Sequence, residues 1–137
     1  MNVFSAMAIS GSALTAEKLR TDIIASNIAN QNTTRAEDGG PYRPRHVVFQ
    51  EILSEKLSQT VGGGVQVRRI EVSDQEPRLV HQPDHPDADE DGYVAMPDID
   101  LAAEMVDLIS ATRSYEANVT VLNNTKTMAL RALEIGR

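Results

Sequence analysis

Stepping through the last third of the chain alternately by four and three residues lands on Leu101, Met105, Leu108, Thr112, Tyr115, Val119, Leu122, Lys126, Ala129 and Leu133. That is a heptad seam, and it commits this third to one long helix. Pro97 with Asp98 or Asp100 supplies the entry signal, Glu104 and Asp107 sit near the positive helix end, Arg131 lies in the last turns, and Gly136 can end it. At ~1.5 Å per residue the helix is ~55 Å long. A compact sphere of 137 residues, from an expected radius of gyration of ~14 Å, is only ~37 Å across. The molecule is therefore expected to be elongated.

The first residues repeat the rhythm more weakly. Phe4, Met7, Gly11, Leu14, Lys18, Thr21, Ala25 and Ile28 share a stripe, with Ile9, Ala16 and Ile23 beside it, which predicts a helix from about Phe4 to Asn30. Its small residues Ala6, Ser10, Gly11, Ser12 and Ala13 bury little apolar area and let a partner backbone come close. Such a helix holds poorly alone. The two helices can form an antiparallel, coiled-coil-like pair with both termini at one end. Ala102, Val106, Ile109 and Ile135 would still lie uncovered, and helices from other chains are the simplest cover.

Charge separates these ends from the middle. Residues 1–34 and 101–137 are each neutral, whereas residues 35–100 hold seven cations and fourteen anions and so carry all of the net charge of -7. Pro and most Gly also fall there, marking turns and short strands. Val47 to Leu53, Val65-Gln66-Val67 after Gly62-Gly63-Gly64, Leu79-Val80 and Tyr93-Val94-Ala95 are the strand candidates. The expected fold is α+β and elongated, divided as 1–34, an N-terminal helix with an Asn-rich exit, 35–97, an acidic β- and turn-rich middle, and 98–137, the C-terminal helix.

Several chemistries drop out. With Cys at 0 there is no disulfide framework, thiolate nucleophile or Cys-ligated metal. An acidic chain offers no broad basic surface for nucleic acid. No apolar run approaches the ~18 residues of a membrane span. Met1 to Ile9 lacks a basic n-region, so an exported chain of this kind is expected to use a route without a cleaved leader. Ser and His occur in no Gly-x-Ser-x-Gly context, and Gly62-Gly63-Gly64 lacks the Lys of a phosphate loop. No reaction, cofactor or small-molecule substrate is expected.

Asp87-Ala88-Asp89-Glu90-Asp91-Gly92-Tyr93-Val94 places acids at positions 1, 3 and 5 and Gly at 6, as an EF-hand loop does. Pro83 and Pro86 forbid the entering helix, Pro97 falls inside the loop, and position 12 is Asp98 rather than Glu, so a solvated acidic turn is the better reading. His81 and His85 flank Pro83 and read as surface residues of a turn. Arg43, Arg45, His46, Arg68 and Arg69 make small basic spots suited to solvent or a subunit contact. Amides are concentrated at the ends. Asn27, Asn30 and Asn32 close the first helix, where capping and register-fixing contacts are equally open. Asn118, Asn123 and Asn124 run along the last helix, where interhelical contacts are favoured.

Ser26-Asn27-Ile28-Ala29-Asn30-Gln31-Asn32-Thr33-Thr34 resembles the signature of the flagellar rod and hook axial proteins. Gly39-Gly40-Pro41-Tyr42-Arg43, Val47-Val48-Phe49, His85-Pro86-Asp87-Ala88-Asp89 with Gly92-Tyr93-Val94, Met105-Val106-Asp107 through Arg113-Ser114-Tyr115-Glu116-Ala117-Asn118-Val119, and Ala132-Leu133-Glu134-Ile135-Gly136-Arg137 resemble its proximal-rod members. The likeness spans essentially the whole chain; only Ser54 to Gly64 carries no matching motif.

The resemblance implies a structural subunit of the basal-body rod. Such a subunit assembles helically through its terminal helices, transmits torque and forms the wall of the export channel, with the middle segment outside. It implies export from the cytoplasm by the flagellar type III apparatus and a rod that spans the periplasm. The implied partners are further copies, other proximal and distal rod subunits, the rod-to-membrane-ring adaptor and the export apparatus. On this reading the assembly interface comprises Met7, Leu14, Ile24 and Ile28 of the first helix and Leu101, Met105, Leu108, Tyr115, Val119, Leu122 and Leu133 of the last. Asn27, Asn30 and Asn32 would fix the helix exit.

Overall fold

The computed structural model describes residues 3–52 and 63–135, with side chains from residue 5 onward. The elements in chain order are α1 (Val3–Ala29), β1 (Arg45–Glu51), β2 (Val65–Val72), β3 (Arg78–His81), β4 (Tyr93–Met96) and α2 (Leu101–Ile135). This is the expected α+β layout of two long terminal helices with a small β-rich middle. Leu53, the segment 54–62 and Gly136 lie outside the described residues.

The helices start for local reasons. Asp100 Oδ1 accepts from the amides of Ala102 at 2.9 Å and Ala103 at 3.3 Å, which makes it the N-cap of α2. Asp98 is exposed two residues earlier. At the other junction Asn30 ends α1, with its Nδ2 donating to the Ser26 carbonyl at 2.8 Å and its Oδ1 accepting from the Thr33 hydroxyl at 3.1 Å.

The strands form two separate antiparallel pairs, β1 with β2 and β3 with β4. Pairing of β1 with β2 runs from Arg45 opposite Val72 to Glu51 opposite Val65, with a register shift between Val48 and Phe49 that leaves Arg68 as the extra residue. The strand that starts at Val65-Gln66-Val67, as expected from sequence, therefore continues through Arg68 and Arg69 to Val72.

α1 is the scaffold. It packs along α2 on one side and against β1 and β2 on another. The small residues of α1 do admit a backbone, and that backbone is the chain's own. Gly64, at φ +119°, sits so near α1 that a Cβ there would stand 2.5 Å from Ser12 Oγ. The Ser12 hydroxyl donates to the Ile9 carbonyl at 2.7 Å and accepts from the Val65 amide at 3.1 Å, fastening the start of β2 to the helix.

The helix pair is antiparallel, since Arg20 approaches Asp107 while Asn27, further along α1, meets Glu104 nearer the start of α2. That register carries the last turns of α2 past the start of α1. Burial is sparse. Ala16, Ile23, Ile24 and Ala111 are buried at the helices, and Val94 and Met96 on β4. The accessible surface is 10035 Å² against the ~7000 Å² expected of a compact monomer of this mass, in keeping with an elongated molecule.

Candidate functional site

Two places concentrate what the chain can do: the junction where α1 ends, β1 begins and α2 begins, and the face of α2 turned away from α1. At the junction Asn27 is wholly buried. Its Nδ2 donates to the Arg45 carbonyl at 2.8 Å and to Glu104 Oε2 at 3.3 Å. Its Oδ1 accepts from the Arg45 amide at 3.0 Å and the Tyr42 hydroxyl at 2.9 Å. An amide has two donor and two acceptor sites, so every one is used. The Arg45 guanidinium in turn reaches Ser26 Oγ at 3.1 Å and lies 5.8 Å from the Tyr42 ring centroid. Asn27 thus ties three elements together, Asn30 fastens the turn as described, and Asn32 stands exposed beside them. Sequence reasoning singled out Asn27; Tyr42, Arg45 and Glu104 carried no periodic signal that could have paired them with it.

A second tie joins the acidic turn to this junction. Thr34 Oγ1 donates to Asp87 Oδ2 at 2.8 Å, and the Arg35 guanidinium pairs with Asp87 Oδ1. The Thr34 hydroxyl first, and then Arg35 and His85, hold the Asp87 carboxyl below the ordinary carboxylate range despite partial burial. Asp89 Oδ1 accepts from the amides of Asp91 at 3.1 Å and Tyr93 at 2.7 Å, closing its own turn at Gly92, which has φ +81°. The acids of the EF-hand-like spacing therefore point to separate tasks, and among the described residues no three metal-ligating side chains converge. His81 packs edge-on against Tyr93 with ring centroids 5.1 Å apart.

On α2 the row turned toward α1 runs through Glu104, Leu108, Ala111, Asn118, Leu122, Thr125 and Ala129. It is rotated by about one residue from the heptad seam. Leu108, Leu122, Val119 and Ala129 of that seam are partly covered, whereas Leu101, Met105, Tyr115, Thr112, Lys126 and Leu133 are exposed. Within the covered row Ala111 is fully buried, while Leu108 and Leu122 are the bulky seam residues that remain partly covered. On α1, Ile24 is buried and Met7, Leu14 and Ile28 are half-buried by the chain itself.

The result is a helix with apolar flanks open to solvent. Met105, Val106 and Ile109, with Leu101, form one patch near its start, at 51%, 66% and 59% exposure for the first three. Val121, Met128 and Ile135 recur every seven residues on another flank, and Leu130 and Leu133 stand on the tip. A cleft of about 300 Å³ opens at the junction between α1, β1 and the first turns of α2.

The sequence matches the family model "Flagella basal body rod protein" over residues 7–36 and "Flagellar basal body rod FlgEFG protein C-terminal" over residues 90–135. The chain is 45% identical over 150 aligned positions to the flagellar basal-body rod protein FlgC of Bacillus subtilis (strain 168), with all of both chains covered. It is 47% identical over 138 positions to FlgC of Yersinia enterocolitica and 44% identical over 137 to that of Escherichia coli O157:H7, covering 100% of this chain and 98% of each relative. The two helices with the Asn27 junction fall largely within the matched segments, and the full-length relatives extend the match through the middle: the chain belongs to the FlgC family of flagellar basal-body rod proteins.

Proposed function

We propose that this rod subunit of the flagellar basal body assembles helically through the open flanks of its terminal helices, chiefly α2. The observation that carries this reading is the pair of apolar flanks on α2, Met105–Val106–Ile109 and Val121–Met128–Ile135, left uncovered by α1. A lone chain gains nothing from such surface, and exposed apolar patches mark partner contacts. Contacts on different flanks are heterologous and build a filament rather than a closed ring.

In this reading the interface set divides. Leu101, Met105, Tyr115 and Leu133 meet neighbours directly. Met7, Leu14, Ile24, Ile28, Leu108, Val119 and Leu122 shape the helix pair that presents them, and Asn27, Asn30 and Asn32 set the angle at which the middle segment leaves α1. Residues 1–34 and 98–137 form the inner wall, and 35–97 the outer, acidic surface. The role is structural rather than catalytic. Copies of this chain, other proximal and distal rod subunits and the rod-to-membrane-ring adaptor are the neighbours, in a rod that spans the periplasm, transmits torque and encloses the export path. Delivery is by the flagellar type III apparatus.

Quantitative mass spectrometry of purified hook–basal bodies, stripped of filament and membrane, tests this reading. A few copies of the chain per particle are expected. Its absence from the particles, with the chain recovered free in the cytoplasm, overturns the rod assignment.

A further inference from the structure

The β3–β4 pair has one face inside the molecule and one outside it. Residues opposite each other in an antiparallel pair share a face, so Val80 with Val94 and Arg78 with Met96 lie on one side, and Leu79 with Ala95 and His81 with Tyr93 on the other. Val94 and Met96 are buried, whereas Leu79 is 66% exposed and Tyr93 43%. Leu79, His81 and Tyr93 thus make an apolar and aromatic surface turned to solvent.

The edge beside that face is open too. The Gln82 amide donates to the Gly92 carbonyl at 2.8 Å, which makes these two a hydrogen-bonded pair. Such pairs alternate along an antiparallel ladder, so Val80 and Arg78 bond across to β4, while Leu79 and His81 turn their N–H and C=O groups away from it. Among the described residues no third strand pairs with them. An unpaired strand edge is a template for an extended segment.

Charge brackets this edge. Residues 73–100 carry nine carboxylates and one arginine, Arg78. Asp74 and Asp87 pair with Arg43 and Arg35, Asp100 caps α2 and Asp89 closes its own turn. Asp84, Glu90 and Asp91 past one end of β3, and Glu76 and Asp98 near the other, are exposed, and their carboxylates have no partner among the described residues.

We propose that β3 takes an extended, basic segment of a different protein as a third strand. Its backbone pairs with Leu79 and His81, its alternate apolar side chains cover Leu79 and Tyr93, and a Lys or Arg at each end meets the free carboxylates. A second copy of this chain is a poor occupant, because it would bring a like-charged rim to the same place. The contact uses none of the α2 flanks and stands apart from the assembly reading.

The test uses the isolated full chain and two capped pentapeptides, Lys-Val-Thr-Val-Lys and Glu-Val-Thr-Val-Glu, followed by amide NMR. Saturable shifts centred on Leu79 and His81, with protection of those two amides from exchange, are expected for the lysine peptide, and binding of the glutamate peptide is at least several-fold weaker. Leu79→Pro removes an outward amide at a sheet edge and lowers the affinity for the lysine peptide several-fold. Asp84→Lys with Asp91→Lys reverses the preference between the peptides, and this protein carries the test should the proline variant fail to fold. Equal binding of the two peptides, shifts centred away from β3, or a preference indifferent to the charge reversal overturns the proposal. Because the isolated chain is measured, either result leaves the rod reading as it stands, and absence of the chain from basal bodies leaves the strand contact as it stands.

Discussion

Asn27 holds the backbone of Arg45 as one strand residue holds another, its side-chain amide donating to the Arg45 carbonyl at 2.8 Å and accepting from the Arg45 amide at 3.0 Å. β1 thus begins by pairing with a side chain of α1. Replacing Asn27 by Ala leaves the Arg45 backbone, the Tyr42 hydroxyl and a Glu104 oxygen without this partner in a buried place. The expected loss is about 2–4 kcal/mol in urea unfolding. Asn27→Asp costs more at neutral pH, because a carboxylate then faces the Arg45 carbonyl and Glu104, and its deficit shrinks as pH falls through the carboxylate range.

The close approach of β2 to α1 gives a second expectation. Gly64→Ala adds a Cβ that meets Ser12 Oγ and also forces a side chain onto a left-handed backbone. A stability loss of at least ~1 kcal/mol follows. Ser12→Ala removes the acceptor of the Val65 amide, and by thermal melting costs about 1 kcal/mol in its own right.

Asp87 gives a pH signature. Its carboxyl titrates below its unfolded value because the Thr34 hydroxyl and then Arg35 favour the charged form. Such a group stabilises the fold above the unfolded carboxylate pKa of ~3.9, and the contribution is lost as pH falls through the lower folded value. Stability measured from pH 6 down to about pH 2 should therefore fall less steeply in Asp87→Asn than in the parent below about pH 4. Identical acid limbs would show that the Thr34–Asp87 tie contributes nothing to folding.

Exposed and covered positions of α2 should separate folding from assembly. Ile109→Asp, on the open flank, is expected to leave the monomer within about 0.5 kcal/mol of the parent while abolishing rod assembly and motility. Leu122→Asp, on the row turned toward α1, is expected to abolish assembly too, and to destabilise the isolated chain by several kcal/mol as well. Circular dichroism melts beside a swarming assay distinguish the two; normal motility with Ile109→Asp would sink the flank assignment.

These residues also mark what could be read before any coordinates. α2 was plain, because a 3.5-residue period sustained over many turns admits nothing else, and α1 was legible from a weaker form of the same rhythm. The period of α2 was legible and its phase was not. Phase depends on which row packs closest, and Ala111 decides that through contact with α1 rather than through hydrophobicity. Val65-Gln66-Val67 marked where β2 starts; how far it runs was not legible, because Arg68 and Arg69 break the alternation, whereas pairing with β1 carries it through a bulge to Val72. Asn27 was visible as part of an amide cluster. Its partners lie 15, 18 and 77 positions away and include a backbone, which no spacing rule describes.

That last separation has a consequence for timing. The contact from Asn27 to Glu104 spans most of the chain, so the junction can be completed only after the final third has become available. A polypeptide delivered N-terminus first, from a ribosome or along any narrow conduit, must wait with α1 lacking its helical partner until α2 arrives. The open period is one in which α1 lacks its own partner and is free to meet another molecule's. Whichever helix reaches it first determines whether a finished subunit or an entangled pair results.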